Sequence, residues 1–412
     1  MSLTNQTIFS IGKITGNISF MCILPEIQFY ELFVALVLFV SLNSLRQQKR
    51  HGLPVWPFFG MFPSLLIGIV QTEFYEWLTN VLQRQNYSTI TYKGTDSFDC
   101  VFTADPGNVE HLLRTKFSNF PKGEFFRTKV HDLLGDGIFN TDEELWRRQR
   151  KMASIAFHSA EFRNLTTESL IELVHSRLLP VLEEQSASPI DLQDILLRLT
   201  FDNVCMIVFG VDPACLRLGL PEIPLVLAFE DAMELLVLRF AIPTFILKAM
   251  KYLNMGVEKK LKRSVSQVDK FAEEVIHTRK KELASDLSND KKSRSDLLTM
   301  FMRLKDDEGN MLSDKFLRDI CVNLIIAGRD SSSVALSWFF WLLDQNPTVE
   351  KQILQEICGI IAERAPYSDE ELSKSSVEHF RPEEVKKMGY LQAAISEALR
   401  LYPSVPLDHK EV

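Results

Sequence analysis

The sequence lacks the short motifs by which several large enzyme classes are recognised. It contains no G-x-x-x-x-G-K-[ST], G-x-G-x-x-G or G-x-S-x-G, and no two of its eight histidines stand four residues apart. These absences argue against a P-loop nucleotide hydrolase, a Rossmann dehydrogenase, an α/β-hydrolase and a zinc protease. We therefore predict no metal site built from side chains of this chain alone.

The sequence also lacks an excess of basic residues and a regular spacing of cysteines. The net charge of the 412 residues is −8, which argues against a nucleic-acid partner. The six cysteines show no C-x-x-C pattern and no regular spacing. We interpret them as mostly reduced, buried residues of a protein that faces the cytosol. The 29 Phe against 8 Tyr fit either a greasy cavity or simply a large core.

One long apolar run lies near the N-terminus. Residues 27–45 read IQFYELFVALVLFVSLNSL, and at helical rise they would cover close to the roughly 30 Å of a bilayer core. Basic residues follow at 46–50, so the positive-inside rule keeps the rest of the chain in the cytosol. The alternative is a cleaved signal peptide, although its charged segment normally leads. We predict a tail at 1–26, then a transmembrane helix, then a basic, proline-containing hinge at 46–62.

After the hinge the pattern is mainly helical, with one small β-prone region. Two β-prone stretches, 89–92 and 100–103, come before a helix start at Asp105-Pro106. Residues 117–139 are rich in Gly, Pro and aromatic residues, and we predict a loop there. Further helices are predicted around Trp146 and at 190–209, 225–253, 257–283, 349–362 and 390–402.

The rest of the chain is organised around residues 313–345, which we predict to form a single helix. Ser313 suits an N-cap, and the proline of Asn346-Pro347 disfavours continuation. Such a helix is roughly 45 Å long, and its apolar residues lie nearly all round it, so we expect it to be buried. Its midpoint is nevertheless polar, with the sequence Ala327-Gly328-Arg329-Asp330-Ser331-Ser332-Ser333.

This polar midpoint is the first of three chemical signals. A small residue such as Gly328 lets a flat ligand lie against the backbone, and a carboxylate at Asp330 beside the Ser331 hydroxyl can pass protons inward. The alternative is a buried helix kink, because helical hydroxyls often bond back to the carbonyl four residues earlier.

The second signal is the basic helix around Trp146. Trp146 and Arg150 share a helix face, so an indole N–H and a guanidinium could together hold an anionic group. Arg147, Arg148 and Lys151 would face outward and could dock an acidic partner. The alternative is an ordinary solvated basic face.

The third signal is the pair Glu397 and Arg400. Residues three apart pair on one helix face, and the apolar neighbours of this pair predict that it is buried. Breaking one partner of a buried pair costs roughly 3–5 kcal/mol. Glu-x-x-Arg is common by chance, so the surrounding sequence has to decide its meaning.

In this order and at these separations, the three signals resemble a microsomal cytochrome P450. The resemblance covers residues 27–412 and includes the run Glu397-x-x-Arg400-Leu401-Tyr402-Pro403. It implies a mainly α fold with a small β region, in which 63–412 is one monooxygenase domain. Three stretches further resemble the plant fatty-acid ω-hydroxylase clan, whose members oxidise terminal methyl groups for suberin and cutin: 132–140, 317–323 and 402–406.

The resemblance implies that the polar midpoint faces a haem. Ala327 and Gly328 would leave room for dioxygen, and Asp330 with Ser331 would relay protons. The family more often has Thr where Ser331 stands, and Ser lacks the methyl group that restricts its rotamer, so a looser relay is expected. Ile138 would also contact the cofactor.

The same resemblance assigns the remaining residues and the partners. Trp146 and Arg150 would bind a haem propionate, while Glu397 and Arg400 would brace the core beneath the haem. An NADPH-dependent reductase would dock on the outward cations Arg147, Arg148 and Lys151, and a fatty acid would contact Phe120, Phe126, Val405 and Pro406. The implied location is the endoplasmic reticulum membrane, with a single membrane pass and the catalytic part in the cytosol.

One family segment has no match in this sequence. The haem iron is held in the family by a cysteine in F-x-x-G-x-R-x-C-x-G, downstream of the Glu-x-x-Arg helix. None of the six cysteines matches that position. We therefore expect a truncated monooxygenase domain, inactive as 1–412 alone and without a thiolate-type carbon-monoxide band. The alternative to an enzyme is a membrane-tethered remnant, whereas a generic helical scaffold would not explain the three signals.

Overall fold

The fold is described from a computed structural model. It describes residues 29–412 except 52, 54, 57–59, 72, 87–88, 94–98, 186–188, 287–295, 306–308 and 365–378. The predicted tail lies outside the described residues. The chain divides into two compact units, Met1–Phe117 and Ser118–Val412. The domain boundaries expected at residues 26, 45 and 62 remain predictions.

The first unit is small and contains a two-stranded antiparallel sheet. Thr89 pairs with Thr103 and Ile90 with Phe102, as the two β-prone stretches predicted. The carboxylate of Asp105 accepts a hydrogen bond from the Asn108 N–H at 2.9 Å and so caps the next helix. The elements are α1 (Phe29–His51), α2 (Phe62–Gln71), α3 (Phe74–Arg84), β1 (Thr89–Lys93), β2 (Asp99–Thr103), α4 (Pro106–Glu110) and a π turn (His111–Thr115).

Helix α1 covers most of the predicted membrane span and continues past it. The basic residues after the span belong to the same helix, so the first part of the expected hinge is helical. Several of its apolar side chains are exposed, Phe39 to 68%. Among the residues that the structure describes, no helix has both the length and the apolarity needed to cross a bilayer. The predicted transmembrane helix is therefore not confirmed.

The second unit is helical throughout its regular elements. It contains α5 (Gly123–Leu134), α6 (Glu143–His158), α7 (Ala160–Leu173), a π turn (Val174–Leu178), α8 (Leu179–Glu184), α9 (Leu192–Phe209), α10 (Pro224–Ala241), α11 (Thr244–Leu253), α12 (Gly256–Asp286), α13 (Leu297–Met302), α14 (Asp314–Gln345), α15 (Pro347–Ala362), α16 (Pro382–Val385) and α17 (Gly389–Leu401). A 3₁₀ turn at Phe117–Asn119 precedes α5. The mainly α fold with a small β region is confirmed.

Helix α5 corrects the loop predicted at 117–139. Glycines mark its two ends and suggested a loop, but the residues between them are apolar at helical spacing. Val130, Leu133 and Leu134 are buried on one face. The Asp142 carboxylate accepts hydrogen bonds from the N–H groups of Lys122 and Gly123 and holds the start of the helix.

Helix α14 confirms the predicted long helix but corrects its predicted burial. The Ser313 hydroxyl accepts from the Phe316 N–H at 3.2 Å and caps the helix. The first half is enclosed by the largest core, whereas Trp338 and Trp341 near the end are 37% and 48% exposed. A helix that is apolar on every side gives no sequence signal for where its burial stops.

Helices α10 and α11 replace the single apolar helix expected at 225–253. The break falls at Ile242-Pro243, because proline lacks the N–H that a continuing helix would need. The amphipathic helix expected at 257–283 is confirmed as α12, with Leu261 and Val268 buried.

Candidate functional site

The polar midpoint of α14 forms the bonds expected of helical hydroxyls. The Ser331 hydroxyl donates to the Ala327 carbonyl at 2.6 Å, and the Ser333 hydroxyl donates to the Arg329 carbonyl at 2.9 Å. Ser331 is half-buried, whereas Ser333 is fully buried. The helix runs through this region without a break. The Ser331 hydroxyl can therefore reorient towards a ligand only by giving up its bond to Ala327.

Arg329 links the polar midpoint to helix α10. Its guanidinium donates to Asp330 Oδ1 at 2.9 Å and to Glu230 Oε1 at 2.6 Å, and it lies 5.8 Å from the centre of the Phe201 ring. The side chain is buried, and its Nε has no hydrogen-bond partner among the described residues. Sequence reasoning noted a charge pair here but missed the third member, Glu230.

Two opposing effects act on the pKa of the Asp330 carboxyl group. Burial raises its pKa above the ordinary value, while the neighbouring Arg329 guanidinium acts to lower the pKa. The net direction is upward. A carboxyl group with a raised pKa takes up and releases a proton closer to neutral pH, which suits a proton relay.

Gly328 lies at a close crossing of two helices. A Cβ at this position would come within 2.6 Å of Val204 Cγ2 on helix α9. A larger residue would push the helices apart, so close helix packing is sufficient to explain a glycine at this position. Its expected role of leaving room for dioxygen remains a prediction, as does that of Ala327, which is half-buried.

Trp146 and Arg150 form the predicted pair on α6. The Arg150 guanidinium lies 5.8 Å from the centre of the Trp146 ring, in a cation–π arrangement. Trp146 is half-buried and Arg150 is exposed. An indole N–H and an adjacent fixed cation are a suitable donor set for a carboxylate.

The three further cations of α6 are not equivalent. Arg147 and Lys151 are exposed as expected, but Arg148 is half-buried. Arg147 also forms an ion pair with Glu144 at 3.6 Å, one helical turn back. Only part of the predicted basic surface therefore faces outward.

Glu397 and Arg400 are paired but are not buried, which corrects the sequence prediction. Two hydrogen bonds of 2.7 Å join them, and their side chains are 56% and 65% exposed. Two of the apolar neighbours that suggested burial, Leu399 and Leu401, are exposed too, whereas Leu391 and Ile395 are half-buried. Arg400 lowers the pKa of the Glu397 carboxyl, as an opposite charge should.

The predicted substrate residues come from two distant stretches that meet in the second unit. The Glu411 N–H donates to the Pro121 carbonyl at 2.8 Å, and Lys122 pairs with Asp408. His409 stacks on the Phe126 ring at 5.6 Å. Their exposure differs: Phe120 and Phe126 are half-buried, while Val405 is 72% exposed and Pro406 is exposed as well.

Phe126 also contacts helix α10, at 5.7 Å between its ring centre and that of Phe240. This contact brings the predicted substrate residue Phe126 next to the apolar helix α10. Their role in substrate binding remains a prediction.

The three buried cysteines of the second unit are unsuited to act as thiolates. Cys205, Cys215 and Cys321 are buried free thiols, and burial raises the pKa of each. A thiolate ligand needs the opposite shift. Cys358 is exposed on α15. Cys22 lies outside the described residues.

Comparisons of this chain with a family model and with individual proteins agree on one family. The model of the family described as Cytochrome P450 matches residues 51–412. Cytochrome P450 86B1 of Arabidopsis thaliana is 60% identical over 395 residues, which cover 95% of this chain and 70% of that protein. Cytochrome P450 94A2 of Vicia sativa is 38% identical, over 86% of this chain and 65% of its own length.

Two further comparisons bear on activity and fold. Alkane hydroxylase MAH1 of Arabidopsis thaliana is 32% identical, over 93% of this chain and 74% of its own length. The heme domain of cytochrome P450DA superposes with a TM-score of 0.65 at 18% identity, over 84% of this chain and 68% of that domain. At that identity the likeness supports the fold alone. The chain spans about two thirds of the length of several of these proteins.

Proposed function

Because the chain belongs to the cytochrome P450 family, we propose that the protein is a haem-dependent monooxygenase that hydroxylates long fatty acyl chains at the terminal carbon. Its similarity to an alkane hydroxylase supports a chain-like apolar substrate. Suberin- and cutin-type lipids are the proposed products, and the endoplasmic reticulum membrane is the proposed location.

One observation carries the proposal: a carboxyl group and a hydroxyl group occupy consecutive positions at the middle of the central helix. Burial raises the pKa of Asp330, and the Ser331 hydroxyl bonds to the Ala327 carbonyl. A raised pKa favours the protonated carboxyl group, and a hydroxyl group that reorients could pass a proton on. This arrangement supports proton delivery to a bound oxidant.

Some of the proposed haem-contacting residues have suitable chemistry. Trp146 with Arg150 offers an N–H and a cation for a propionate, and Ala327 is a small residue that suits a flat ligand, whereas Gly328 packs against Val204. When bound, the haem would supply the oxidising chemistry, with electrons from NADPH through a partner reductase docked at Arg147, Arg148 and Lys151. None of the buried cysteines is proposed as its ligand, because their raised pKa values disfavour a thiolate.

The test uses microsomes that contain the protein and a plant reductase. Two forms are compared: the 412-residue chain, and the same chain extended by the C-terminal part of cytochrome P450 86B1, which is 60% identical over the shared region. The extended form should convert long-chain fatty acids to ω-hydroxy acids in a reaction that requires NADPH. An extended form that gives a thiolate-type carbon-monoxide band yet no hydroxylated fatty acid would overturn the proposal.

A further inference from the structure

The first half of α14 carries buried polar side chains that the proposed mechanism does not use. Asp319 is 3% exposed and Asn323 is 0% exposed, and the three residues between them, 320–322, are buried and apolar. Residues four apart lie on the same face of a helix. Buried Asp and Asn are uncommon, and where they occur their polar atoms are bonded. The hydrogen-bond partners of both side chains lie in the same part of the chain.

Their partners include backbone groups of residues 134–140, at the end of α5 and in the connection to α6. Asp319 Oδ2 accepts from the Asp136 N–H at 2.9 Å. Asn323 Nδ2 donates to the Leu134 carbonyl at 2.9 Å, and Asn323 Oδ1 accepts from the Phe139 N–H at 3.0 Å. Two side chains of one helix thus satisfy the last carbonyl of α5 and two N–H groups of the connection that follows it.

The two glycines of this segment make the contact possible. A Cβ on Gly135 would collide with the Asp319 carboxylate, and one on Gly137 would collide with the Asn323 amide. Gly135 in addition has φ +54, which favours glycine. The two glycines therefore leave the space that the Asp319 carboxylate and the Asn323 amide occupy.

Arg318 and Gln149 add contacts around the same segment. Arg318 of α14 donates through Nη1 to the Leu133 carbonyl of α5 at 2.6 Å and to Asp319 Oδ1 at 2.9 Å, and it also pairs with Asp269 of α12. From α6, Gln149 Nε2 donates to the Asp136 carbonyl at 2.7 Å. The segment is thus bonded directly to α6 and α14, and Arg318 links α14 to α12.

We propose that Asp319 and Asn323 are positioning residues that determine which carbon of a chain-like substrate is oxidised. Their hydrogen bonds give Ile138 and Phe139 a single placement relative to Ser331. Ser331 lies about 12 Å beyond Asn323 along the same helix. Ile138 is half-buried and Phe139 is 39% exposed, so both side chains can contact a ligand. This inference rests on the proposed function.

The first test is hydrogen exchange of the full chain, with and without Asn323→Ala. Without the Asn323 acceptor, the Phe139 amide should exchange about tenfold faster. Val322→Ala is the matched control, because Val322 is the neighbouring residue and is also fully buried. It should lower overall stability without a selective effect on residues 134–140. Equal exchange in both variants would overturn the proposed contact.

A double-mutant cycle separates direct contact from general destabilisation. Gly137→Ala alone should disturb the segment, because its new methyl group meets the Asn323 side chain. In the Asn323→Ala background that obstacle is gone, so the effect of Gly137→Ala on exchange should be several-fold smaller. Strictly additive effects would contradict the inference.

The functional readout is the ratio of ω-hydroxylated to in-chain hydroxylated product, measured in whichever microsomal form is active. Asn323→Ala should lower this ratio several-fold, and Val322→Ala should leave it unchanged. An unchanged ratio despite faster exchange would overturn the specificity claim alone. If wild-type protein oxidises no fatty acid in either form, the proposed function fails and this inference falls with it, whatever the exchange data show.

Discussion

At the residue scale, Ser331 is the position where the resemblance to the family leads us to expect threonine more often. Its hydroxyl bonds to the Ala327 carbonyl at 2.6 Å, and no methyl group restricts its rotation. Ser331→Thr should therefore raise the fraction of consumed NADPH that appears as product, by roughly twofold for a rotamer preference of a few tenths of a kcal/mol. Parallel assays of NADPH and hydroxylated product measure it. A lower fraction in the Thr variant would contradict the relay geometry.

Arg239 is the clearest single-residue determinant of stability. Its buried guanidinium bonds to Glu258 at 2.6 Å and to Asp132 at 2.6 Å, and so joins helices α5, α10 and α12. Arg239→Ala leaves the buried Glu258 carboxylate without its partner and should lower the free energy of unfolding by about 3–5 kcal/mol. Denaturant titration of the purified chain tests this.

The control is Lys260→Ala, which breaks an exposed ion pair with Asp231. Exposed pairs contribute little, so the midpoint of unfolding should stay close to that of the wild type. Equal losses of unfolding free energy in the two variants would contradict a special stabilising role for the buried Arg239 network.

At the scale of elements, a bidentate pair joins the residues just after α15 to α16. Arg364 donates to the Glu384 carboxylate at 2.8 Å and 3.0 Å, and this contact lowers the pKa of Glu384 to about 2. Because the folded pKa lies below the ordinary value, the pair stabilises the fold above about pH 4.5. That contribution disappears as the pH falls towards 2.

Glu384→Gln should therefore lower stability near neutral pH and have progressively less effect in acid. Thermal melts of wild type and variant between pH 3 and pH 7 measure the difference. A difference in melting temperature that grows as the pH falls would contradict the assignment.

The elements also show what the sequence could and could not predict. The cap at Ser313 and the proline at 347 located α14 within a few residues, because these signals are local, whereas the break at Ile242-Pro243 between α10 and α11 was missed. Helix α5 was missed, since its flanking glycines suggested a loop while its own buried face is set by tertiary packing. The interaction of Asp319 and Asn323 with residues 134–140 was also missed. Its signal, two buried polar residues four apart in an apolar helix, is present in the sequence, but its partners are nearly two hundred residues away.

At the scale of the whole molecule, two predicted pairs form, Trp146 with Arg150 and Glu397 with Arg400. Asp330 and Ser331 are both half-buried at the middle of α14, and their role as a relay remains a prediction. The Glu397–Arg400 pair, expected in the core, is exposed. Local spacing determines whether two residues of a helix can meet, whereas burial depends on all the elements that surround them. The sequence could therefore predict the pairs but not their burial.

The central claim is that the polar midpoint of α14 delivers protons through Ser331. The most direct test compares Ser331→Ala with Ser333→Ala, which removes a second helical hydroxyl two residues away that is fully buried. The measured quantity is hydroxylated product per NADPH consumed. We expect a drop of about tenfold or more for Ser331→Ala, within the range for a lost acid–base group, and little change for Ser333→Ala. Equal effects in the two variants, or none in Ser331→Ala, would contradict the account.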